Sequence, residues 1–131
     1  MTILIGYVPT PVGEAALAAA LTEAASSGDD VVILNSPRRG STVDADLIAD
    51  DAGEALLRRA AEAGVTATVD QTDHGDDIVE TFEKLVERTG ARLVVIGLRR
   101  RTPMGKLLMG SDAQRLLLEL DVPILAVKPA R

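Results

Sequence analysis

The chain has 131 residues, enough for one domain that buries roughly two thirds of the surface its unfolded form exposes. It has no cysteine, which excludes disulfides and thiolate metal sites, and Tyr7 and Phe82 are its only aromatic residues, so the core must be aliphatic. Net charge is −6, yet residues 99–106 hold four of the 14 basic side chains and no acidic one, an asymmetry that argues against the broad basic face of non-specific nucleic-acid binding.

Five short apolar runs alternate with longer helical patterns. The first strand is expected over Thr2 to Val8. Thr10 can cap the following helix, with Pro11 in its first turn, where a missing N–H costs nothing. The Ala-rich stretch Val12 to Ala25 favours helix, and Ser26-Ser27-Gly28 stops it. Val31 to Asn35 reads as a second buried strand, followed by a polar loop, Ser36 to Thr42, that contains Arg38 and Arg39. Asp44 to Ala63 is a helix with Leu47, Ile48, Ala55, Leu56 and Ala60 near helical spacing, and Gly64 ends it. Val65 to Asp70 alternates like a half-buried or edge strand. Asp77 to Thr89 places Ile78, Phe82, Leu85 and Val86 on one helix face, with Gly90 as terminator. Arg92 to Ile96 is the most continuous strand, Ser111 to Leu120 the last helix, and Ile124 to Lys128 a fifth strand behind Pro123.

This βαβαβαβαβ order implies a single α/β domain over residues 1–131: an open five-stranded, mainly parallel sheet with four helices on both faces. The first residues read directly as a strand, without the segments of a signal peptide, and no apolar run approaches the roughly 20 residues that span a bilayer. A soluble, cytoplasmic protein without membrane or nucleic-acid partners is the expectation.

In open sheets of this kind, ligands lie beyond the carboxyl ends of the strands at the topological switch point. If the strand order is 3-2-1-4-5, the loops after strands 1 and 4 flank that crevice. The loop after strand 4 begins at Gly97 and carries Arg99, Arg100, Arg101 and Lys106 before Gly110-Ser111 opens the last helix. Amides at a helix start, flanked by Arg and Lys, suit an anionic group such as a phosphate. A Walker A loop is excluded, because Arg100 and Leu107 stand where that pattern needs a glycine and a hydroxyl. The dinucleotide fingerprint fails as well, since Gly6-Tyr7-Val8-Pro9-Thr10-Pro11 follows the first strand.

Gly97, the Gly110-Ser111 pair, Leu107-Leu108 before it and the closing Pro123-Ile124-Leu125-Ala126-Val127-Lys128 resemble the universal stress protein family. The resemblance runs from Ile3 to Lys128 and implies a Rossmann-like fold of the adenine nucleotide alpha hydrolase type, with strand order 3-2-1-4-5. ATP-binding members of that family carry G-x2-G-x9-G-[ST] in this loop. Gly97, Gly110 and Ser111 match it, whereas Arg100 replaces the second glycine and Val8 replaces the family's aspartate after strand 1. The resemblance therefore implies a small stress-response module binding ATP or AMP, with Mg2+ only alongside the nucleotide. Gly97, Gly110 and Ser111 would contact ribose and phosphates, and Arg99, Arg100, Arg101 and Lys106 would neutralise charge. The alternative is a member that binds no nucleotide and acts through protein contacts. The family also implies a homodimer, formed by antiparallel pairing of the strand Ile124 to Lys128 with its symmetry mate.

Plainer readings stand beside these. Ser111 and Gln114 form a capping-box pattern that needs no ligand. His74, in Thr72-Asp73-His74-Gly75-Asp76-Asp77, matches no metal-ligand spacing and reads as a turn, with Asp76 or Asp77 capping the third helix. No nucleophile and general base accompany the cationic loop, so no enzyme is expected beyond slow ATP hydrolysis, and no catalytic or metal-binding residue is assigned.

Overall fold

A computed structural model describes residues 1–35, 50–71, 77–98 and 111–129, apart from the side chains of residues 50 and 111. The elements follow in the order β1 (Thr2–Gly6), α1 (Pro11–Ser27), β2 (Asp30–Leu34), α2 (Asp50–Glu62), β3 (Ala67–Asp70), α3 (Ile78–Thr89), β4 (Ala91–Gly97), α4 (Ser111–Glu119) and β5 (Ile124–Val127). The five strands form one parallel sheet in the order β3-β2-β1-β4-β5, as expected from the sequence. Arg38, Arg39, Leu47, Ile48 and His74 lie outside the described residues.

Alternation along each strand divides the apolar residues between two cores. Ile3 and Ile5 of β1, Val31 and Ile33 of β2, and Leu93 and Val95 of β4 meet Ala16, Leu17, Ala20 and Leu21 of α1 and Leu56 and Ala60 of α2. Leu4, Leu34, Val94 and Ile96 meet Val79, Phe82 and Leu85 of α3 and Leu116 of α4. The central strands are apolar on both faces because helices cover both.

The register of β4 against β1 steps from Thr2↔Ala91 to Ile3↔Leu93, which makes Arg92 an extra residue in β4. Ala91 consequently joins the α3 side of the sheet, where strict alternation from Leu93 would have turned it toward α1. Arg92 reaches the end of α1: its Nε donates to Asp29 at 2.5 Å and its Nη2 to Ser27 Oγ at 3.2 Å and Glu23 Oε1 at 3.3 Å. Asp29 is buried, and hydrogen bonds from Ser27 and then Arg92 hold its carboxyl down to about 2.

Helix ends follow the residues read from the sequence. Thr10 accepts the Gly13 N–H with Pro11 directly after it, and Asp77 accepts the Val79 and Glu80 N–H groups. Gly28, at φ 80°, closes α1 by donating its N–H to the Ala24 carbonyl, a left-handed conformation that favours glycine. Strand boundaries move slightly. β1 ends at Gly6 because the chain turns at once, Thr10 N–H bonding the Val8 carbonyl at 2.8 Å. β3 begins at Ala67 because the Val65 N–H is taken by the Ala60 carbonyl at the end of α2. No helix among the described residues is long and apolar enough to cross a membrane.

Candidate functional site

The sheet order puts the switch point between β1 and β4, whose chain connections leave in opposite directions. Two segments border it: residues 7–10 after β1, and the segment that leaves β4 at Leu98. The Leu98 N–H still pairs with the Val127 carbonyl at 2.8 Å, so β4 and β5 remain joined to the rim of the crevice.

Gly97 is the expected site residue for which the structure gives full surroundings. It has no positive φ, so its backbone alone would accept any side chain. Space is the constraint: a Cβ there would stand 2.5 Å from Val12 Cγ1 and 2.6 Å from the Val12 carbonyl oxygen. The first turn of α1 occupies the room that a side chain would need. Gly13 serves the same junction from the other side, since its Cβ would fall 1.8 Å from the Val8 carbonyl oxygen. Two glycines, one on β4 and one in α1, thus let the β1–α1 turn seat directly on the end of β4.

That turn leaves little for an anion at α1 itself. Pro11 has no N–H, the Gly13 N–H is committed to Thr10 Oγ1 at 3.3 Å, and the Glu14 N–H to the Thr10 carbonyl at 2.9 Å. Glu14 adds a negative charge to the first turn. On the other side of the crevice, the segment that leaves β4 ends where α4 starts at Ser111. Arg99, Arg100, Lys106 and Gly110 lie outside the described residues, as does the Ser111 side chain and with it the Ser111–Gln114 capping box.

Sequence reasoning missed a polar seam along the carboxyl ends of β1, β2 and β3. Asn35, 3% exposed, donates from Nδ2 to the Tyr7 carbonyl at 2.9 Å and accepts from Gln71 Nε2 at 3.0 Å. Three strand ends are tied by two amide side chains. An amide directly after the apolar strand Val31–Leu34 was the available signal, because a buried Asn must find partners.

Tyr7 turns its ring into the α1 side of the core and its hydroxyl donates to Glu14 Oε1 at 2.5 Å. Arg59 of α2 donates to the other oxygen at 2.7 Å. Burial, and then the bond to Glu14, push the Tyr7 phenol up to about 12. Burial of Glu14 opposes its ionisation, but the bonds from Tyr7 and Arg59 outweigh it and hold the carboxyl below its ordinary value. On the α3 side, Arg115 Nη2 bridges both Asp77 oxygens at 3.1 Å, and its Nε reaches Glu119 at 3.2 Å. The Arg115 bond, aided by the Glu80 N–H, holds the Asp77 carboxyl below its usual range.

Comparison with known proteins agrees with this architecture. The family model described as Universal stress protein family matches residues 1–128. A universal stress protein of Mycolicibacterium smegmatis is 36% identical over 127 residues, covering 97% of each chain. A solved universal stress protein from Archaeoglobus fulgidus superposes with a TM-score of 0.80 at 27% identity, covering 98% of both chains. A universal stress protein structure from the same organism in complex with dAMP gives a TM-score of 0.73 at 22% identity, over 98% of both chains.

Proposed function

The chain belongs to the universal stress protein family, and we propose that it binds an adenine nucleotide, ATP or AMP, between the β1–α1 turn and the start of α4. One observation carries this reading. The segment that joins β4 to α4 leaves the sheet at its switch point and contains four basic side chains in an acidic protein. The dAMP held by a relative of the same fold supports it.

In this reading Ser111 and Gly110 meet ribose and phosphate at the start of α4, with Arg99, Arg100 and Lys106 supplying countercharge. Gly97 lets α1 close on β4, and its backbone borders the site where ribose and phosphate would lie. Val8 offers no carboxylate to the nucleoside, so recognition rests more on phosphate here than on ribose. Mg2+ would enter with the nucleotide. The module reports or buffers stress in the cytoplasm rather than turning substrate over, hydrolysis being slow at most.

The same reading makes the protein a homodimer through β5. Ile124–Val127 is an apolar edge strand with no strand on its outer side among the described residues, and Leu125 is 39% exposed. The second reading, a nucleotide-free module acting through protein contacts, is favoured by Val8 and Arg100. Isothermal titration of ATP, AMP and Mg-ATP separates the two. Heat that disappears in a folded Ser111→Ala or Gly110→Ala variant supports nucleotide binding. No heat at millimolar nucleotide overturns it.

A further inference from the structure

α4 is the helix whose start receives the phosphates in the reading above, yet apolar packing holds it thinly. Among its described side chains, residues 112–119, Leu116 alone is buried, with Ala113 and Leu117 packed part-way. With so little apolar packing, the orientation of this short helix depends on its polar contacts as well. Arg115, the residue beside the pin, reaches across to α3, where its Nη2 bridges both oxygens of Asp77 at 3.1 Å. Asp77 is itself fixed, because its Oδ1 accepts the Val79 and Glu80 N–H groups at the start of α3.

We propose that Arg115 is a positioning residue for the nucleotide site: its bond to Asp77 fixes α4 against the start of α3 and so sets where the Ser111 end of α4 stands. The inference rests on the nucleotide reading above. Both partners are more than two-fifths exposed, so the pair adds little to global stability. Its consequence is geometric. Ser111 and Arg115 lie about one helical turn apart, so holding one places the other. Arg115 also neutralises a carboxylate close to the phosphate-receiving end, and the two roles predict opposite results for one substitution.

The test uses Asp77→Asn, which keeps a good N-cap while losing the charge, together with Arg115→Gln and the double variant. Titration with ATP is expected to show each single variant binding roughly three- to tenfold more weakly than the parent, and the double variant no weaker than the worse single. Urea midpoints should stay close to the parent's. Tighter binding by Asp77→Asn alongside weaker binding by Arg115→Gln would assign the pair to charge rather than position and overturn the proposal, as would parent-like affinity in both. Amide exchange over residues 115–120, whose N–H groups bond within α4, gives a readout that needs no nucleotide: it should quicken in all three variants, and unchanged exchange overturns the proposal. A parent protein that binds no ATP defeats the nucleotide reading alone, and the exchange measurement then decides whether Arg115 holds α4.

Discussion

Replacing Gly97 by Ala separates a packing glycine from a ligand-contact glycine. The new Cβ would stand 2.5 Å from Val12 Cγ1, 2.6 Å from the Val12 carbonyl oxygen and 3.1 Å from its carbonyl carbon. A flexible side chain would relieve the first contact by rotating, but valine is stiff at χ1 and the other two atoms are backbone in the first turn of α1. Relief requires α1 to shift, and overpacking of this kind costs about 1–3 kcal/mol. With a urea slope of about 1–3 kcal/mol per molar, the midpoint should fall by roughly 1 M in the complete absence of nucleotide. Adding Val12→Ala removes the Cγ1 contact and leaves the carbonyl contact, so the double variant should recover only part of the loss. A Gly97→Ala protein with the parent's midpoint and slope would refute the packing argument and return Gly97 to the ligand.

Two further outcomes concern ionisation. As the only tyrosine, Tyr7 can be followed by phenolate absorbance, and its midpoint should lie at about 12 rather than at the ordinary 10.0. A folded value above the unfolded one means that this stabilisation is present below pH 10 and is lost as pH rises through about 12; Glu14→Gln should lower the midpoint part-way, because burial is the larger cause, and a parent midpoint near 10 would contradict the buried bond to Glu14. Asp29 behaves in the opposite sense, its folded value of about 2 lying below the ordinary 3.8, so its contribution is present above that ordinary value and is lost as pH falls toward 2. Asp29→Asn should flatten the dependence of the urea midpoint on pH across this window, and a slope equal to the parent's would show that the contacts with Ser27 and Arg92 do not form in solution.

The fold was legible because its signals are local and redundant. β-branched runs, glycines at the ends of α1, α2 and α3, and caps at Thr10 and Asp77 each pointed to the same element order. The site was less legible. Gly97 matched a nucleotide pattern, and nothing in the sequence said that the first turn of α1 would fill the space beside it. Gly13 carried a signal that went unread, since a glycine in an Ala-rich helix costs about 1 kcal/mol and needs a reason. The Asn35–Gln71 bridge and the Asp77–Arg115 pair join residues 36 and 38 positions apart, beyond the reach of any periodicity argument. The extra residue at Arg92 was equally invisible, because one inserted position in an apolar strand leaves the composition unchanged.

The place of β1 in the middle of the sheet also bears on how the chain is made. β1 finds β2 soon after both leave the ribosome, but its other edge waits for β4, since Ile3 pairs with Leu93. At usual rates of synthesis that interval lasts roughly 5–20 s. Through it the nascent chain carries an open apolar edge, Ile3-Leu4-Ile5, that in the finished protein is wholly enclosed. The three-stranded half is thus the form in which this protein is most exposed to chaperones and to neighbouring copies on the same message, and substitutions that slow β4 docking should reveal themselves as lost yield during expression rather than as lowered stability of the product.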